Sequence, residues 1–393
     1  MTSDAPNPGE GAVQRWSDAF LDRMKQTADP EVDGIMRAYF ESFPTPEAGH
    51  MALIRLKKTY LDGWDSPMPD DLPAAIRTFM DTPVRYPDWV DSRRLDVASA
   101  LFEAYGPVTV LVVVLRSWNF FITNPGGAHA FWTAQIFNPV NVSQQLRTLP
   151  SFILNFTLEG RLMQTLSTWP PYGNAEGLPP DVSIHKGRGI ITVQKLRLAH
   201  AVQRILLTMR QPRDDTRWDF ARYGQPINQE ALCQAMLHFC FTTIDGLALL
   251  GITQSAVEEE CTFMAWKTVL FLLGLRPELQ PRTVADGRRL LDTLFRRNAA
   301  ATPQATDLIH QELATVRRLL PWGFGRITTA LIRYLLGPEV SAMLGVPRAP
   351  ILLWLLNATT WLWKGNRLLL SLIYWLSPRI IRTMDSSRRF ISA

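Results

Sequence analysis

Proline and glycine fall along this chain at intervals that cut it into helix-length pieces: 28 prolines and 23 glycines punctuate 393 residues. Between the breaks, apolar residues recur three and four positions apart, the period of one helix face. Strict alternation, the mark of a half-buried strand, is nearly absent. The pattern predicts an all-α, multi-helix globular bundle. Helical spacing runs through 14–25, 30–43, 74–79 and 95–105, with a proline-rich break at 66–73. The β-branched run 108–114 suits a strand by propensity, but its apolar pattern continues through Leu115, Trp118 and Phe121, so we read a buried helix. Asn124-Pro-Gly-Gly127 reads as a turn and 128–137 as a helix. Further helices are predicted over 152–168, 190–210, 229–250, 255–274, 283–299 and 303–319. Three segments follow: a polar helical lead-in (1–75), the main α domain (76–345) and a hydrophobic tail (346–393).

A hydrophobic fraction of 47% supports a sizeable core. The net charge of +5 and pI near 9.2 are mildly basic for this length. With no Lys/Arg block and no nucleic-acid signature, they exclude a nucleic-acid partner and suit an anionic membrane surface. Cys233 and Cys240 stand seven apart, two helical turns, and read as small buried apolar residues; with Cys261 the count is odd. That fits a reducing compartment. Met1 to Glu10 is polar and proline-rich, unlike a cleaved secretory signal. In the tail, apolar runs at 351–363 and 368–376 flank Lys364-Gly-Asn-Arg367. Each is shorter than the roughly 20 residues a spanning helix needs. Their Trp, Tyr, Lys and Arg edges suit a membrane interface on the cytosolic side, the endoplasmic reticulum in a eukaryote. The alternative is a pair of helices docked on the protein's own core.

Local motifs for hydrolases, zinc peptidases, nucleotide-phosphate loops and dinucleotide folds are absent. None of the six histidines pairs with another at ligand spacing on one helix. Single histidines on helices are the pattern a haem uses: one axial imidazole, apolar walls, and cations for the propionates. His200 fits best, because Leu196, Arg197, Gln203 and Arg204 lie one turn away on either side. Arginine matches a carboxylate bidentately, which suits propionates. On residue chemistry alone, a half-buried structural histidine on a basic helix is the simpler reading of His200. Arg161 and Thr165 are one turn apart and share a helix face. His129, after two glycines, reads as a capping or loop residue, His238 as a core histidine, and His185 as part of a polar loop.

The order of motifs resembles the rubber oxygenase (latex-clearing protein) and MpaB-type oxygenase family. The resemblance is carried by Arg161-Leu-Met-Gln-Thr165, Lys195-Leu-Arg-Leu-Ala-His200-Ala-Val-Gln-Arg204 and Gly224-Gln-Pro-Ile-Asn-Gln-Glu230. Leu250-Gly-Ile252, and Trp266 before Leu273-Gly-Leu275, complete it over about 95–290. It implies an all-α oxygenase binding haem b, with His200 as the iron ligand and Arg161 and Thr165 as a catalytic Arg-x-x-x-Thr pair. Arg197 and Arg204 would bind the cofactor, and O2 and a hydrophobic polyprenyl or polyketide-like substrate of secondary metabolism would be its partners. Gln164 stands where the rubber-cleaving branch carries a lysine that can occupy the distal iron position, and an amide is a poor iron ligand. The rival classes are a non-catalytic haem-binding protein and a membrane-associated helical scaffold.

Overall fold

The computed structural model describes residues 15–63, 66–133, 162, 164–166, 184–209, 217–319, 324–348 and 350. Over these residues the chain is helical, with one two-stranded ribbon. Helices α1 (Asp18–Lys25), α2 (Pro30–Glu41) and α3 (Pro46–Leu56) come first, and α3 runs on into a π-turn (Lys57–Leu61). Then follow α4 (Ala74–Asp81), α5 (Ser92–Arg116), α6 (Trp118–Thr123) and α7 (Pro125–Thr133). Strands β1 (Gln164–Leu166) and β2 (Ile184–Lys186) precede α8 (Arg188–Thr208) and α9 (Phe220–Tyr223). The last group is α10 (Gln229–Leu249), α11 (Ala256–Leu272), α12 (Val284–Asn298), α13 (Pro303–Leu319), α14 (Phe324–Leu336) and α15 (Pro338–Met343).

Polar side chains start these helices by accepting otherwise unpaired N–H groups of the first turn. Asn228 Oδ1 accepts from Ala231 N at 2.9 Å, and Ser255 with Glu258 forms a reciprocal capping box. Asn124 Oδ1 accepts from Gly127 N at 2.8 Å, so the expected turn at 124–127 is instead the start of α7, with Pro125 as its first residue. The run 108–114 is helical, as its apolar spacing predicted, and α5 turns by 88° between Gly106 and Val108, at Pro107. A second expectation fails: Gln164–Leu166 is a strand, paired antiparallel with Ile184–Lys186, where a helix over 152–168 was predicted. Backbone pairing with a segment some twenty residues further on supplies the hydrogen bonds, and helical spacing within one segment carries no trace of such a partner.

Three large apolar clusters and a small one, Ala130, Leu207, Trp218 and Tyr223, hold the helices together among the described residues. In one, Cys233, Met236 and Phe241 of α10 meet Met264 and Val269 of α11, together with Ile190 and Val193 of α8. A second gathers Val108, Val112 and Leu115 of α5 with Trp118 and the apolar faces of α13 and α14. The third packs Val32 and Met36 of α2, Leu53 of α3 and Tyr60 of the π-turn against Leu198, Ala199 and Val202 of α8. Helix α8 is thus walled by the first cluster on one side and the third on the other. The segment before residue 75 is half of that wall, not a lead-in. Helix α10 is long and apolar enough to cross a bilayer, yet most of it is buried within the protein, as in a core helix. The three cysteines are free and buried, which agrees with reading Cys233 and Cys240 as core residues. The tail runs at 351–363 and 368–376 lie outside the described residues.

Gly246 lets α10 touch α5. A Cβ there would sit 2.1 Å from Val112 Cγ1 and 3.1 Å from Arg116 Cδ. Gly246→Ala must push the two helices apart, at a cost of about 1–3 kcal/mol typical of overpacking. Thermal denaturation is expected to show a lower Tm; an unchanged Tm would mean that the crossing relaxes freely.

Candidate active site

Helix α8 begins directly after the ribbon, with Gly187 as the single residue between β2 and Arg188. It carries Lys195, Arg197, His200 and Arg204, and most of its surface is covered. Cations in such a position need fixed partners. Lys195, 1% exposed, donates to the carbonyls of Gly63 and Ser66 at 2.8 Å each, with its ammonium 4.2 Å from the Tyr60 ring centre. Arg197 forms a fork on Asp29, with Nε at 2.5 Å and Nη2 at 2.9 Å, and also reaches Glu31 at 2.7 Å. Burial opposes its charge, but the hydrogen bonds and charges of Asp29 and Glu31 win and raise its pKa. Arg204 Nε donates to Asp33 at 2.7 Å and Nη1 to the Ile227 carbonyl at 3.3 Å.

His200 differs from these neighbours. Among the described residues no hydrogen-bond partner meets its imidazole. Burial, reinforced by the charges of Arg204 and Lys57, pushes its pKa down to about 3, so the ring is neutral. It nevertheless retains accessible surface, unlike Leu198, Ala199 and Ala201 beside it. A neutral, unpaired imidazole on a rigid helix in apolar surroundings is the donor an axial haem ligand requires. Because a haem brings four nitrogens of its own, one histidine suffices. No cluster of three metal-ligating side chains occurs among the described residues.

The 224–230 loop is a junction. Gly224 takes φ +67° and ψ −151°, a region open essentially to glycine, and a Cβ there would meet the Lys25 carbonyl oxygen at 2.2 Å. Ile227 takes φ +49°, strained for a β-branched residue. Gln225 N and Gln229 N donate to the carbonyls of Lys25 and Thr27 at 3.0 and 2.8 Å. The Gln229 side chain bridges Ala28 O and Gly274 O, and accepts from Arg276 N at 2.8 Å. Buried Glu230, its pKa raised by burial, accepts from Asn298 at 2.7 Å and Arg297 at 3.3 Å. The loop therefore ties α10 to the start of the chain, to the turn after α11 and to α12.

Upstream of α8, β1 pairs with β2 so that Gln164 faces Lys186 and Thr165 faces His185. His185 is thus in a strand, not a loop. Arg161 lies outside the described residues. The ribbon leads straight into α8, so the structure joins the Thr165 strand to the His200 helix through backbone pairing.

The family model for the catalytic domain of "ER-bound oxygenase mpaB/B'/Rubber oxygenase" matches residues 156–364, more than half of the chain. The chain belongs to this family. It is therefore an oxygenase, an oxidoreductase. A rubber oxygenase from Streptomyces sp. (strain K30) is 23% identical over 339 residues, covering 85% of this chain and 74% of that protein. The solved structure of latex clearing protein in its closed state matches the fold with a TM-score of 0.68 at 18% identity, over 92% of this chain and 91% of that one. The all-α expectation and the family resemblance both hold.

In this oxygenase His238 and His129 are occupied by packing and hydrogen bonds elsewhere in the fold. His238 is buried, its Nε2 3.3 Å from Arg116 O and from Thr242 Oγ1, and burial pushes its pKa down to about 4. His129 sits within α7, buried and stacked on Tyr223, not in a loop. Arg197 and Arg204 meet α2 and its flank where propionates were expected. Spacing on α8 could not reveal this, because Asp29 and Asp33 lie more than 160 residues upstream. The signal that was present is that each pair keeps to one helix face: Asp29 and Asp33 are one turn apart, Arg197 and Arg204 two turns.

Removing one partner of a buried pair strands the other charge, typically at about 3–5 kcal/mol. Arg197→Ala is expected to lower the unfolding free energy by about 3 kcal/mol in denaturant titration, given that the pair is only partly exposed. Arg197→Lys should recover little, lacking the fork. A variant as stable as the parent would return Arg197 to the ligand-binding role.

Proposed function

We propose that this oxygenase binds haem b through His200 and uses O2 to oxidise or cleave a hydrophobic substrate. The observation that carries the reading is the neutral His200 imidazole, deep in the fold, unpaired among the described residues and still accessible. Haem, when bound, supplies the redox-active iron that O2 chemistry needs. The chain supplies the rest. Desolvation keeps the His200 lone pair free of a proton at any physiological pH, and packing on both sides of α8 holds the ring in place. Arg161 and Thr165 are the residues we assign to the reacting side, on their Arg-x-x-x-Thr spacing. Arg197 and Arg204 act through the placement of α8 instead of touching the cofactor.

The Streptomyces relative is named for rubber. With Gln164 in place of a lysine, the substrate class we assign to this chain is a hydrophobic polyprenyl or polyketide-like compound. Such a substrate partitions into lipid, and the runs at 351–363 and 368–376 would bring the enzyme to it at the cytosolic face of a membrane.

Two measurements test this. Purified protein should show a Soret band that His200→Ala abolishes while the helical circular dichroism is kept. A colourless parent, or an unchanged band in His200→Ala, would overturn the assignment. Deleting residues 349–393 should move the protein from the membrane pellet to the soluble fraction with its haem retained; persistence in the pellet would place the membrane contact elsewhere.

A further inference from the structure

Two side chains tie the ribbon to the body of the fold. The Tyr86 hydroxyl donates to the Leu162 carbonyl at 2.6 Å, just before β1. On β2, Lys186 Nζ donates to the Met80 carbonyl at 2.5 Å and to Gln194 Oε1 at 3.2 Å. Gln194 Nε2 in turn donates to the Phe79 carbonyl at 3.2 Å. These two carbonyls belong to the last turn of α4, where a helix leaves its C=O groups unpaired and the dipole is negative, so a cation fits. Gln194 is on α8, six residues before His200, and Lys186 is the cross-strand neighbour of Gln164. A single ammonium group therefore links the end of α4 and the His200 helix to a backbone paired with β1.

We infer that Lys186 is a positioning residue, clamping the ribbon, and with it Gln164 and Thr165, against α8 and the end of α4. The catalytic relevance of the clamp rests on the proposed reacting-side role of Thr165; its existence does not. The charged group acting on Lys186 from α4 is Asp81, and the group facing it from α8 is the neutral Gln194 amide. Burial lowers the Lys186 pKa to about 8, against the pull of Asp81. If opening of the ribbon returns the amine to water and its ordinary pKa of 10.5, the open form holds more protons between the two values. The closed form then gains stability as the pH rises through 8, and the clamp tightens in base.

Hydrogen–deuterium exchange on the full chain tests this, comparing amides of 164–166 with those of α10 as an internal reference. After correction for intrinsic rates, protection of 164–166 should rise about tenfold between pH 7 and 9 in the parent. At pH 9, Lys186→Met should lower that protection about tenfold, as expected for two acceptors left without a donor, and abolish the pH slope. Lys186→Arg, charged throughout this range, should hold the parent's pH 7 protection at both pH values and so lack the slope. If Lys186→Met also exposes α10, the protein is globally unfolded, and Gln194→Leu becomes the deciding variant: it should loosen 164–166 alone. Protection within about twofold of the parent in Lys186→Met, or in Gln194→Leu when that variant decides, overturns the clamp. In haem-loaded protein, Lys186→Met should keep the Soret band and lower kcat with little change in KM. A colourless parent would defeat the haem reading and leave the exchange result to decide the clamp.

Discussion

A helix can bury cations only if each one meets a fixed partner, and α8 withdraws three of its four from water. Lys195 is satisfied by two backbone carbonyls and an aromatic face, Arg197 by a carboxylate fork, and Arg204 by Asp33. All of these partners come from residues 29–66, so the first part of the chain folds back along α8 and neutralises it. The apolar packing of α2, α3 and the π-turn on Leu198, Ala199 and Val202 then becomes possible without leaving charge stranded. Ion pairs of this kind add little net stability over apolar substitutes, but their geometry allows one register of α2 on α8.

Among the cations so committed stands His200, whose imidazole has no hydrogen-bond partner among the described residues. Its neighbours raise the local positive potential and, with desolvation, keep the imidazole unprotonated. The site is therefore made by what surrounds α8: apolar walls from two clusters, a ribbon entering at its first turn, and the 224–230 loop fastened to its last turns through Arg204 and the Ile227 carbonyl. Strain at Ile227 is held in place by Asn228, which caps α10 and also donates to the carbonyls of Tyr223 and Gln225.

Helix positions were legible wherever an element was long and its caps local. Helix α8 lies within about two residues of its predicted ends, and α10 to α13 match as closely, because 3.6-residue periodicity and Asn, Ser and Thr caps are properties of contiguous sequence. His200 stood out for the same reason, as a polar residue on an otherwise coverable helix. What could not be read was whatever depends on a distant partner. Gln164–Leu166 takes its strand form from β2, and Arg197 and Arg204 take their roles from Asp29 and Asp33. The 224–230 motif carries the family resemblance, but its work as a fastening between helices depends on partners far away in the chain. Lys186 and Lys195 were passed over because a lysine near a helix start or on a helix face looks solvated until its acceptors are known.

The partners of α8 also define the smallest piece of this protein that can stand by itself. The region matched by the family's catalytic-domain model begins at residue 156, yet the carboxylates that hold Arg197 and Arg204, the carbonyls that hold Lys195, and one of the two apolar walls of α8 come from residues 29–80. A fragment cut to the matched region would present Lys195, Arg197 and Arg204 to water along one edge and a bare apolar stripe along another. The edge of that region therefore cuts through the packing of α8. Any fragment or transplant that carries α8 has to carry the N-terminal helices with it.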